Sequence, residues 1–187
     1  HDALPISPVS LPAGDSCQRR LLMNTIDARL IAINADNGEL CQQFGELAQA
    51  GTQRLLPGPT GERNTWTLLP RERVLCIADD EQDALVQVAA VTSVGSLILW
   101  PDDTFHRDLA KRLPAAVSGR IQFAKADNIA TQPFDAVIFH GDSDQLRALC
   151  EAVAAREGAI VSVQGFARGE SNILLERLYI ERSLSVN

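Results

Sequence analysis

The sequence predicts an α/β fold built on a mostly parallel, doubly wound sheet, preceded by N-terminal connecting helices and a projecting loop and strand. Three observations lead there. From residue 74 to 163 short apolar runs alternate with stretches of helical length, the order that covers both faces of a parallel sheet with helices. Residues 19–33 and 38–50 carry helical apolar spacing, as in Leu40, Phe44, Leu47 and Ala48. Between these and the regular part, residues 56–70 are punctuated by Pro57, Pro59 and Gly61, which force turns.

The elements follow in order. Residues 8–15, rich in Pro, Ser and Gly, have no periodicity and read as a linker. The two helical segments come next, then a projecting loop whose 66–69 stretch favours an extended strand. The apolar run 74–78 predicts the first strand of the sheet, and 81–94 a helix ended by Gly95. A strand over 97–100 precedes a helix over 103–113 that Pro114 stops. Strands are expected at 121–124 and 136–139, a helix over 143–156 closed by Gly158, and a last parallel strand over 159–163. In 174–186, Leu178, Ile180, Leu184 and Val186 alternate with polar residues, so the end of the chain reads as a strand following a short helix.

Composition narrows the function classes. The 187 residues are 45% hydrophobic and 22% charged, as expected of a globular chain with room for one core. A net charge of -7 and a pI near 4.9 argue against sequence-independent nucleic-acid binding, which needs a basic surface to displace counterions. No apolar run approaches the ~20 residues of a spanning helix, and no charged-then-apolar leader opens the chain. Cytoplasmic residence is the expectation. Cys17, Cys41, Cys76 and Cys150 form no CxxC pair, which disfavours zinc and a redox dithiol.

In a doubly wound sheet, ligands gather at the C-terminal ends of the strands, where a Gly-rich turn brings phosphate to a helix N-terminus. Here those turns read Asp79-Asp80-Glu81 and His140-Gly141-Asp142-Ser143-Asp144. Their carboxylates cap the helix amides and stand where an anion would bind, and neither turn contains GxGxxG. Gly58-Pro59-Thr60-Gly61-Glu62-Arg63 lacks the Gly-Lys-Ser/Thr ending of a phosphate loop and reads as a structural turn. Cys76 and Cys150 read as buried packing residues, since free cysteine behaves as a small hydrophobe. His140, followed by Asp142 and Asp144, is weighed as an acid-base cluster and more simply as a hydrogen-bonded residue beside an Asp cap. His106 is expected at the surface.

Three stretches go beyond folding rules: residues 56–72 (LPGPTGERNTWTLLPRE), 134–147 (FDAVIFHGDSDQLR) and 175–187 (LERLYIERSLSVN). They resemble the C-terminal region of the proline utilization A family, bacterial flavoproteins that join proline dehydrogenase to L-glutamate γ-semialdehyde dehydrogenase. The resemblance runs from about Gln42 onward. It implies a degenerate, Rossmann-like domain of aldehyde-dehydrogenase-superfamily type over 55–187, truncated at its C-terminus, after linker and connecting helices over 8–54. Residues 1–7 resemble a translated sequencing adaptor and are set aside as non-native. The resemblance also implies a parent enzyme that oxidises proline to glutamate through pyrroline-5-carboxylate and the semialdehyde, with FAD and NAD in its upstream domains, a homo-oligomeric state and at most peripheral membrane association. For this region it implies no cofactor, no metal and no catalytic residue, but a module that seals the substrate-channelling tunnel and supports the dehydrogenase domain. Its partners are the upstream domains of its own polypeptide. Arg63, Trp66, Tyr179, Arg182 and Asn187 are the candidate residues for that contact, since Arg, Trp and Tyr are favoured at interfaces.

Two alternatives stay open at this point. A free-standing NAD-binding oxidoreductase would need the nucleotide turn that the acidic loops replace. A degenerate response-regulator receiver domain is suggested by Leu75-Cys76-Ile77-Ala78-Asp79-Asp80-Glu81, but His140 and Gln164 end the strands that should end in a phosphoacceptor Asp and a Lys.

Overall fold

The structure, a computed structural model, describes residues 35–125 and 131–187. The helix expected over 19–33, the linker 8–15, Cys17 and residues 1–7 lie outside the described residues. Helix α1, Ala35–Leu47, leads into a short strand β1, Gln53–Leu56, and a longer one, β2, Arg63–Pro70. Strand β3, Arg73–Ile77, opens the regular part, followed by helix α2, Glu81–Val94, and β4, Leu97–Pro101. Helices α3, Thr104–Arg112, and α4, Ala115–Ser118, precede β5, Ile121–Ala124. Then come β6, Ala136–His140, helix α5, Ser143–Ala154, and β7, Ser162–Phe166. A 3-10 turn, Leu175–Leu178, ends in β8, Tyr179–Val186.

Two sheets result. The parallel one has the order β5-β4-β3-β6-β7, and the antiparallel one β1-β2-β8. Numbered within the parallel sheet, the order is 3-2-1-4-5, the dinucleotide-fold winding, whereas a receiver domain places its strands 2-1-3-4-5. The receiver reading is thereby overturned.

Helix α2 begins and ends where its chemistry dictates. The Asp80 carboxylate accepts from the amides of Gln82 and Asp83, and Gly95 takes φ 89°, the left-handed cap that glycine adopts without strain. Because α2 is apolar nearly all round, it is buried along its length, between the sheet and α1. The main core joins Val74, Cys76, Ile98, Trp100 and Ile138 to α2, with Cys41 and Phe44 of α1 and Leu178 of the 3-10 turn. A smaller cluster, including Leu75, Leu99, Val137 and Val153, lies under α5 on the other face. Arg71, Arg73 and Arg156 donate to the carbonyls of Asp135, Pro133 and Gln132 at 3.0, 2.8 and 3.0 Å, pinning the connection into β6.

Four expectations need correction. The last parallel strand is Ser162–Phe166 rather than 159–163, and Ile160 is 98% exposed, so the apolar run there is a surface turn. Cys150 is exposed: the inward stripe of α5 is Leu146, Leu149 and Val153, and Cys150 stands one step round the helix from it. His106 is buried, its Nδ1 2.8 Å from the Asp103 carboxylate and its ring 5.2 Å from that of Trp100. Residues 53–56, given no strand in the sequence, form β1.

Candidate functional site

Pairing decides which side chains of the antiparallel sheet share a face. Thr65 lies opposite Leu55 on one side and Leu184 on the other, Leu69 opposite Ile180, Thr67 opposite Arg182, and Arg63 opposite Val186. Directly opposed residues point the same way, so one face carries Arg63, Thr65, Thr67, Leu69 and Arg182, the last standing between Ile180 and Leu184, and with them the apolar Leu55, Ile180, Leu184 and Val186. These four are 43%, 43%, 51% and 51% exposed. The opposite face turns toward the body. There Leu68 and Tyr179 are buried, and Trp66 is half-buried against the core with the Arg54 guanidinium 5.8 Å from its ring centre. The strand β8 is also an edge of its sheet, with its outer amides and carbonyls unpaired by any described strand.

The candidate contact residues divide accordingly. Arg63 and Arg182 lie on the face that carries Leu55, Ile180, Leu184 and Val186 and are exposed, as is Asn187 one residue beyond β8. Trp66 lies on the opposite face, and Tyr179 is anchored inside the unit, its hydroxyl accepting from the Gln49 amide at 2.7 Å. Of these apolar residues, sequence reasoning named Ile180, Leu184 and Val186 as one side of an alternating strand, and Leu55 not at all. Alternation in 178–186 carried the signal, but only the pairing with β2 shows that the face is left uncovered.

A second place demands inspection. The chain runs β3, β4, β5 to one side of the sheet and β6, β7 to the other, so the ligand crevice of this winding falls outside the C-terminal ends of β3 and β6. Here that crevice is filled from within. Gln87 of α2 donates through Nε2 to the Ile77 carbonyl at 2.9 Å, and the same nitrogen lies 2.8 Å from His140 Nδ1. With Nδ1 facing a donor, the imidazole proton sits on Nε2 and is donated to the Glu170 carbonyl at 2.9 Å. The Asp83 carboxylate accepts from the Gly169 amide at 2.9 Å, and Arg168 reaches Asp79 at 3.2 Å. Residues 167–170 thus lie across the strand ends as a strap. Asp83, Gln87 and His140 beneath it are 1%, 0% and 1% exposed. His140 touches neither Asp142 nor Asp144 through a hydrogen bond among those described; Asp142 instead closes a capping box with Gln145. Asp80, Asp103 and Asp142 each cap the helix they precede, so the three helix N-termini on this side already hold carboxylates.

The thiols offer no nucleophile in this neighbourhood. Cys76 is fully buried mid-strand, and burial pushes its thiol well above the ordinary range. No group of three or more His, Cys, Asp and Glu side chains is placed to hold a metal among the described residues.

The comparison that decides the family is with the "Bifunctional protein PutA" of Escherichia coli K12, 86% identical over 148 residues, which are 79% of this chain and 11% of that protein. This region belongs to the proline utilization A family. A solved structure of a Bradyrhizobium japonicum PutA mutant superposes on 71% of the chain and 15% of its own, with a TM-score of 0.54 at 22% identity, which shows the shared fold. The PutA region therefore spans about a tenth of the length of its curated relatives. A different family model, described as "PQQ: Glucose/ethanol/alcohol dehydrogenase, beta-propeller domain", matches residues 6–67, under half of the chain. In keeping with it, the "Probable quinate dehydrogenase (quinone)" of Xanthomonas campestris pv. juglandis is 53% identical over 45 residues, 24% of this chain and 6% of that protein.

Proposed function

We propose that residues 55–187 are a non-catalytic module of an enzyme that oxidises proline to glutamate through pyrroline-5-carboxylate and glutamate γ-semialdehyde. The module docks on the upstream dehydrogenase domains of its own polypeptide and seals the passage between their active sites. FAD and NAD belong to those domains, in a cytoplasmic homo-oligomer, and this region holds neither. The observation that carries the reading is the exposure of Leu55, Ile180, Leu184 and Val186 on one face of the antiparallel sheet, side chains that a neighbouring domain would bury. Arg63 beside Val186, Arg182 between Ile180 and Leu184, and Asn187 beyond supply polar contacts. The filled crevice and the carboxylate caps support the absence of a dinucleotide, because the pyrophosphate would meet Asp80 and Asp142 where it needs free amides.

The propeller match covers residues 6–67, about one blade of ~40–45 residues with its flank, where a whole propeller has about 4–8 blades. The described portion of that stretch is helix α1, strand β1 and the start of β2, and the 148-residue match to the PutA protein overlaps it.

The test uses the Escherichia coli relative with its matching 148 residues replaced by those of this chain. In the hybrid, Leu184→Asp is expected to leave proline dehydrogenase activity and semialdehyde-dependent NADH formation unchanged when each is assayed alone, and to introduce a lag in NADH formation from proline. A hybrid that couples without a lag despite the charge would overturn the sealing role. Calorimetric titration of the 187-residue chain with NAD is expected to show no saturable heat.

A further inference from the structure

The strap across the closed crevice leads directly into the strand that carries the apolar face. After Gly169 and Glu170 the chain passes Leu174, whose amide and carbonyl are both held by the Gln164 side chain at 3.1 and 3.2 Å. Gln164 is 5% exposed and belongs to β7 of the parallel sheet. The 3-10 turn that follows buries Leu175 and Leu178, and the Leu178 carbonyl accepts from the Arg71 amide at 2.9 Å at the junction of β2 and β3. Tyr179 then starts β8.

The geometry points to a socket: Asp83 and His140, the latter held by Gln87 and both standing where a ligand would sit in this winding, grip residues 169–170 and, with the Gln164 clamp, set the direction in which β8 leaves the body. On this reading the crevice has exchanged a ligand for a piece of its own chain, and its buried polar residues are positioning residues for the docking face. The inference rests on the docking reading above only for its purpose, since the coupling between crevice and strand is a property of this chain alone.

Three features make the coupling physical. The two strap contacts end on side chains that are themselves buried, so their loss leaves a polar group dry rather than returning it to water. The Gln87 amide cannot turn over to serve a rearranged His140 without facing its oxygen to the Ile77 carbonyl. Gly169 holds φ 82°, a conformation that a side chain strains, although nothing lies within 4 Å of an added Cβ. The socket is thus set from below by bonds and from above by one backbone angle.

Hydrogen exchange on the 187-residue chain tests it. Gly169→Ala, which touches no core atom, and His140→Phe, which keeps an aromatic ring beside Phe166 but loses both bonds, should speed exchange of the β8 amides by about fivefold to tenfold. The β3 and β6 amides should keep their protection. Arg168→Ala, which removes only an exposed ion pair, should leave all rates unchanged. Unchanged β8 exchange in Gly169→Ala would overturn the socket, and so would equal acceleration of β3, β6 and β8, the mark of general destabilisation. Should His140→Phe fail to fold, Gly169→Ala decides alone. Because this readout needs no catalytic domain, failure of the docking reading would appear as coupled turnover without a lag while the exchange result stands.

Discussion

Burial sorts the thiols in a way that neighbouring letters in the sequence do not. Cys76 lies on β3 facing α2, and Cys41 on α1 facing the same helix, both fully buried, whereas Cys150 stands on the solvent side of α5. A thiol reacts as thiolate, and the upward shift that burial imposes on Cys76 removes that form at ordinary pH. With Ellman's reagent at pH 8, Cys150 is expected to react at once, and Cys41 and Cys76 only after denaturant is added. Rapid labelling of Cys76, read by peptide mapping, would contradict the packing described for β3. The same comparison shows what was legible residue by residue. Cys76 was readable because a cysteine between Leu75 and Ile77 in an apolar strand has nowhere to go but the interior. Cys150 and His106 were not, since each depends on an angle: a single step round α5 turns Cys150 outward, and the Asp103 cap draws His106 in against Trp100.

Chemical stops at both ends made one helix readable to the residue, while the helices expected over 103–113 and 143–156 are Thr104–Arg112 and Ser143–Ala154. Helix α2 has Asp80 before it and Gly95 after it, and its bounds in the structure are those the sequence predicts. Strand β5 is likewise where expected. Strand β7 was displaced because the apolar letters of 159–161 suggested a strand that the sheet does not use: pairing with β6 starts at Ser162, leaving Ile160 in water. Strand β1 was missed because four residues, Gln53 to Leu56, carry too little pattern to separate a strand from a loop, and only β2 gives it a partner. Helix α5 offers a quantitative test of this scale. Its capping box satisfies the amides of Asp144 and Gln145 through the Asp142 carboxylate, while Gln145 returns a bond to the Asp142 amide. Asp142→Ala is expected to cost about 1 kcal/mol, seen as a lower urea midpoint with an unchanged slope. Asp142→Asn should recover most of it, because the amide oxygen still accepts; a midpoint insensitive to both changes would show that α5 is held by its Leu146, Leu149 and Val153 stripe alone.

At the scale of the whole molecule, the two sheets differ in what covers them. The parallel sheet has helices on both faces and its ligand crevice filled by residues 167–170. The antiparallel sheet packs Trp66, Leu68 and Tyr179 of one face on the body, leaves Leu55, Ile180, Leu184 and Val186 exposed on the other, and has an edge at β8. The pairing behind that contrast joins β2 to β8 across more than a hundred residues, Arg63 with Val186 and Pro70 with Tyr179, and no local rule could supply it. The prediction at this scale concerns the chain by itself. With Leu55, Ile180, Leu184 and Val186 exposed on one face, two copies can each bury the other's apolar side chains, and the open β8 edge lets two strands pair as well. A net charge of -7 opposes this at long range and is screened by salt. Sedimentation velocity is therefore expected to show concentration-dependent association that strengthens with salt and disappears in Leu184→Lys, since a charge on the face would have to be desolvated in the contact. The opposite salt dependence would assign the association to ion pairs and not to the apolar face. A wild-type chain that stays monomeric throughout would overturn the association.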